Sequence, residues 1–200
     1  KEGVLWNDYS IRGIQWRVGI PAELFFKEAV EQGRLFDAIV SSSVMEHLYD
    51  PLNCLTNMIK SLAPGGRMVH CIDFRDHGMF EPRYHPLKFL AVPSYIYKKM
   101  TVHSGDQNRY LLPAYRELLS AMSNVLSFSY EIYIWMLVGG IDFNPFLKIE
   151  DIPPEIWDKS LTIVRKHRKE LTAEFRKMSD YDLGVAGICL VVKKNGPIRV

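Results

Sequence analysis

The most constraining stretch of this sequence is one helix signature set between two apolar runs. Asp50 can accept a hydrogen bond from the first free amides of a helix, and Pro51 suits the first helical position. Leu52, Leu55, Met58, Ile59 and Leu62 then recur at helical spacing, and Ala63-Pro64-Gly65-Gly66 closes the pattern with turn residues. Ahead of the helix, Leu35-Phe36-Asp37-Ala38-Ile39-Val40 reads as a short strand running into Ser41-Ser42-Ser43. Behind it, Arg67 to Phe74 reads as a second strand, with Met68, Val69, Cys71 and Ile72 as its apolar content. Strand, helix and strand of these lengths make a βαβ unit, which implies two parallel strands with a right-handed crossover.

The flanking sequence extends this unit. Gln15–Val18 predicts a short strand, and Pro21–Glu31 a short helix ended by Gly33. Residues 75–110 mix Arg, His, Tyr, Phe and Pro without a period and predict irregular structure with short helices over the sheet's edge. Leu111–Val125 predicts a helix, and Phe128–Val138 a strand stopped by Gly139-Gly140. Pro153-Pro154 opens a long amphipathic helix with apolar positions from Ile156 to Met178, and Asp182–Lys193 closes with an apolar strand. No linker composition appears, so residues 1–200 read as a single domain with 75–110 as a lid or acceptor-binding insertion. At 48% hydrophobic and 24% charged residues, the chain is neither disordered nor a collagen or coiled-coil rod. A formal charge of +2 gives no electrostatic argument for nucleic acid or an anionic membrane. Cys54, Cys71 and Cys189 are odd in number and lack zinc-ligand spacing, so they read as reduced thiols and the location as cytoplasmic. No apolar run is long enough for a transmembrane segment.

Several of these segments carry a resemblance. Phe36-Asp37-Ala38-Ile39-Val40-Ser41-Ser42-Ser43-Val44-Met45-Glu46-His47-Leu48 resembles the fourth strand and following turn of class I S-adenosylmethionine-dependent methyltransferases. Leu62-Ala63-Pro64-Gly65-Gly66-Arg67 resembles the turn that leads into their fifth strand. His70-Cys71-Ile72-Asp73-Phe74-Arg75-Asp76-His77 is similar to a block in a bacterial subgroup of that family, and Asn108-Arg109 and Asp182–Ile188 match its later motifs. The resemblance implies an α/β fold: a Rossmann-like, doubly wound, mostly parallel sheet with a lid after strand five, and S-adenosylmethionine as cofactor. The family's glycine-rich loop has no counterpart here, because Gly3, Gly13 and Gly19 are scattered and follow no strand. The first strands are therefore expected to be lacking. The chain reads as the C-terminal portion of a longer protein, inactive as a fragment.

The resemblance also implies roles. Ala22 and Glu23 would lie beside the adenine, Ser41 and Ser42 at the cofactor's amino-acid or sulfonium end, and His47 facing cofactor or acceptor. Glu23 could equally open a helix, and the serines could serve as a turn. Glu46 would orient its turn by hydrogen bonds. His77 or Asp73 is the candidate general base, with a hydrogen-bonded turn as the other reading. Arg75, Tyr84, Asn108 and Arg109 are the candidate substrate-binding residues. His70, Asp73, Asp76 and His77 are metal-ligand types, but His70 and Asp73 have opposite parity on a strand, so no metal is expected. The expected reaction is methyl transfer to a hydroxyl, amine or other nucleophile of a small-molecule, lipid or saccharide acceptor. The alternative is a non-catalytic subunit or scaffold that has lost cofactor binding.

Overall fold

A computed structural model describes residues 17–80 and 83–196. The first element, α1 (Ala22–Glu31), follows Pro21 and is ended by Gly33, which has a φ of 62°. It leads into β1 (Phe36–Ser42). Asp50 caps α2 (Pro51–Lys60) by accepting from the Asn53 amide at 3.2 Å, as the sequence predicts. Strand β2 (Leu62–Asp73) returns parallel to β1, pairing Val40 with Val69, Ser41 with His70 and Ser42 with Cys71.

The expected turn at Ala63–Gly66 is instead the irregular start of β2, because Leu62 already pairs with Phe36 across a bulge. Gly66 is needed there. A Cβ would lie 2.8 Å from the Ala63 carbonyl oxygen and 3.0 Å from that of Phe36.

After β2 the chain forms the expected irregular segment, whose described residues include a 3-10 turn (Lys88–Ala91) and the helix α3 (Ser94–Thr101). Helix α4 (Leu112–Ser123) then leads to β3 (Phe128–Leu137). Gly139 and Gly140, both at positive φ, turn the chain into β4 (Ile141–Leu147), a strand absent from the sequence reading. Asp142, Asn144 and Pro145 hide it, and its place at the sheet's edge is where proline is tolerated.

The long helix expected after Pro153 is broken. Helix α5 (Pro154–His167) stops, and α6 (Ala173–Arg176) and α7 (Asp180–Gly184) follow as separate turns. Arg168 explains the break: its guanidinium donates to the carbonyls of Arg176 and Met178 and to the Asp180 carboxylate, folding the chain back. Strand β5 (Val185–Lys194) ends the described chain.

The strand order is β1-β2-β5-β3-β4. The Rossmann-like α/β arrangement stands, but only β1–β2 is a parallel pairing among the described strands. Strand β5 inserts antiparallel between β2 and β3, and a hairpin forces β4 antiparallel to β3. Val185–Leu190 is buried throughout, so β5 is the sheet's centre. The Trp135 indole lies across Gly187 of this strand, where a Cβ would clash with it, and donates to the Ile72 carbonyl at 3.2 Å. Strand β1 pairs only with β2 among the described strands, and Val40 on it is 75% exposed. Of the strand expected at Gln15–Val18, the first two residues lie outside the described ones, and Arg17 and Val18 are not in a strand. Among the described residues, no helix is long and apolar enough to cross a membrane.

Candidate active site

Two parallel strands end side by side at Ser42 and Asp73, and the carboxyl end of such a pair is where open α/β sheets bind ligands. Beyond β1, a single 3-10 turn, Met45–His47, carries Glu46 and His47. Asn108 holds this turn closed: its side-chain amide donates to the carbonyls of Met45 and Leu48, each at 2.9 Å. Beyond β2 come Asp73 and His77. The Asp76 carboxylate accepts from the amides of Met79 and Phe80 and from the Gln107 side chain, and so fixes the turn that presents His77.

The two turns face each other. The rings of His47 and His77 are 4.9 Å apart, and His77 Nε2 is 3.6 Å from Asp73 Oδ2. His47 Nδ1 lies 2.7 Å from the Gly105 carbonyl, so Nδ1 carries the proton and Nε2 the lone pair. Arg75 grips Asp73 with three side-chain contacts of 2.6–3.1 Å. Burial pushes Asp73 up, but the Arg75 hydrogen bonds and charge, aided by His77, outweigh it and hold the carboxyl below the usual range. For His77, burial lowers the imidazole against the opposing pull of Asp73.

Glu46 is the outlier. It is 1% exposed, and neither carboxylate oxygen has a hydrogen-bond partner. Burial raises its pKa above the ordinary carboxylate range, against the opposing pull of the Glu46 and Asp73 backbone amides and of His47. The Tyr115 hydroxyl beneath it is likewise buried without a partner. The sequence reading placed Glu46 only as a support for its turn and did not single out Gln107 or Gly105. The Glu46-His47 pair was a local signal, whereas Gln107 and Gly105 arrive from about 30 and 58 residues away and left none.

The other predicted residues divide. Ser41 Oγ is 2.7 Å from His70 Nδ1 and is committed to the sheet, whereas Ser42 is exposed. Ala22 is half-buried at the start of α1, and Glu23 accepts the Tyr49 amide at 2.9 Å with one oxygen. Arg109 lines the same cavity as His47. Its guanidinium donates to the Val92 carbonyl and Ser94 Oγ at 2.6 and 2.7 Å and lies over the Tyr97 ring, tying residues 89–97 together. Tyr84 is exposed beside Phe80 and Lys88. A cavity of about 530 Å³ is edged by His47 and walled by Tyr49, Tyr97 and residues 106–110. A second, of about 360 Å³, lies between Phe74–Arg75, residues 86–90 and the start of β5.

A family model described as "methyltransferase domain" matches residues 4–123. The chain belongs to the methyltransferase domain family. The matched part contains β1, α2, β2 and the whole histidine–carboxylate cluster. No curated protein sequence matches the chain. Among solved structures, it is similar to a SAM-dependent methyltransferase from Archaeoglobus fulgidus (14% identity, TM-score 0.42, covering 92% of this chain and 69% of that one). It is similar to phosphoethanolamine N-methyltransferase 2 of Haemonchus contortus (13% identity, TM-score 0.34, 80% and 34%). The plantazolicin methyltransferase BpumL is a third (15% identity, TM-score 0.37, 81% and 52%). The chain thus spans about a third to two thirds of these proteins' lengths.

Proposed function

We propose that the protein transfers a methyl group from S-adenosylmethionine to an oxygen or nitrogen nucleophile of a small-molecule, lipid or saccharide acceptor. One observation carries this reading within the family: Glu46, His47, Asp73 and His77 converge at the carboxyl ends of the parallel strands, beside a cavity of small-molecule size. When bound, S-adenosylmethionine supplies an electrophilic methyl carbon on a sulfonium, so the protein need provide no covalent nucleophile.

The residues around the end of β1 suit the polar parts of that cofactor. Glu23 has one carboxylate oxygen on the Tyr49 amide and a second for a ribose or adenine donor, with Ala22 beside it. Ser42 offers an exposed hydroxyl, and His47 an imidazole, on the amino-acid and sulfonium side. As the nucleophile attacks, its proton must leave, and it is released on the His47–His77 side of the cluster. Asp73, neutralised by Arg75, orients His77 and is a poor base itself. Arg75, at the rim of the smaller cavity, and Tyr84 are the acceptor contacts. Asn108 and Arg109 hold the 75–110 lid and the Glu46-His47 turn in place.

The test is calorimetry with S-adenosylmethionine on the intact protein, followed by transfer of labelled methyl to panels of hydroxyl and amine acceptors. Micromolar binding, weakened by Glu23→Ala, and transfer lost in His77→Ala are expected. Absence of cofactor binding would overturn the reading in favour of a scaffold.

A further inference from the structure

The cluster contains more than a proton-handling pair. We propose that Glu46, His47 and His77 form a site for a divalent transition-metal cation, which holds a hydroxyl oxygen of the acceptor. The inference rests on the same site as the methyl-transfer reading and identifies how that site handles the acceptor's proton.

One ligand atom from each of the three residues lies within 4.8 Å of the other two. Each is prepared for ligation. The Gly105 carbonyl fixes the Nδ1–H form of His47 and turns its Nε2 lone pair outward. Asp73 stands 3.6 Å from His77 Nε2, the kind of carboxylate that orients a ligating imidazole. Glu46 has two buried oxygens with no hydrogen-bond partner, and a desolvated carboxylate is a costly arrangement that a cation relieves. The Arg75 guanidinium is held on Asp73.

Two imidazoles and one carboxylate suit manganese to zinc in the first-row series, and three protein ligands leave positions open for the acceptor. A hydroxyl bound there loses its proton more readily, and that proton passes to solvent water. The parity of His70 and Asp73, which argues against a metal, concerns other residues: the ligands here come from two turns, not from one strand.

The probe is Co²⁺ titrated into the chelator-stripped intact protein and followed by visible absorption, with Zn²⁺ as a calorimetric check. One cation per chain is expected. His47→Ala and His77→Ala should each weaken binding roughly a hundredfold or more without altering the circular dichroism spectrum. Glu46→Gln should do the same if either histidine variant fails to fold. His85→Ala, in a separate histidine pair, should leave binding unchanged. No binding, binding indifferent to both His47 and His77, or binding lost in His85→Ala would each overturn the site. Cofactor calorimetry on the metal-free protein is read separately. A protein that binds cobalt but no S-adenosylmethionine keeps the site and loses the methyl-transfer reading.

Discussion

Two clusters in this protein contain the same three side chains, two histidines and one glutamate, and differ in almost everything else. In the first, Glu46 is buried with both oxygens unpartnered, and His47 has its Nδ1 proton on a backbone carbonyl. In the second, the His85 and His167 rings stack 3.8 Å apart and nearly parallel, at 6°. Its Glu170 is half exposed, accepting from His167 at 2.8 Å and meeting His85 at 3.3 Å and Lys88 at 3.8 Å. Both imidazoles already meet the one carboxylate, and the Lys88 ammonium faces it as well. In the second cluster the carboxylate is engaged on every side, although His85 Nδ1 is buried without a partner, and the group latches the lid to the end of α5. The first has acceptor capacity that nothing in the described structure uses. Residue type does not distinguish them; the state of hydrogen bonding does.

The comparison breaks most visibly in a double variant. His47→Ala/His77→Ala should lose at least about a thousandfold in cobalt affinity, about 4 kcal/mol, while His85→Ala/His167→Ala retains it.

A third histidine at the same strand ends, His70, sharpens the contrast, because no carboxylate bonds it. Burial lowers it to about 4, with Ser41 as its hydrogen-bond partner and Nε2 unpaired. The folded protein therefore holds His70 neutral while the unfolded chain takes up a proton near pH 6.5. Its contribution is complete above that pH and is lost as pH falls from 6.5 towards 4, by roughly 3 kcal/mol at most. Melting temperatures across that window should fall less steeply in His70→Asn than in the parent. Equal slopes would contradict the assignment.

Next in size is Asn108→Ala. It removes two hydrogen bonds that close the Glu46-His47 turn, and about 2 kcal/mol of stability should go with them. Cobalt affinity should fall too, which urea denaturation and the same titration would show together. The smallest effect belongs to the latch: Glu170→Gln should leave cobalt binding unaltered and melting nearly so, since Glu170 is solvent-screened.

Much of the frame was legible from sequence because it rests on local chemistry. Asp50 and Pro51 set the start of α2 through an amide and a fixed φ, and the apolar runs around them made β1 and β2. The strand ends placed Ser41–Ser43 and Asp73–His77 in one neighbourhood, and the family resemblance added His47. What stayed hidden depends on distant partners. Glu46 is unusual only because the turns that bury it bring it no donor. Arg109 lines the larger cavity while its guanidinium donates to Val92 and Ser94 and lies over Tyr97, contacts set by how the lid folds. The break after His167 follows from Arg168 reaching eight to twelve residues ahead, which helical periodicity cannot register.

The most direct measurement is anomalous scattering at the zinc edge from crystals of the zinc-loaded intact protein. A peak within bonding distance of Glu46, His47 and His77 is the predicted result. A peak between His85, His167 and Glu170, or no ordered zinc at either cluster, would contradict it.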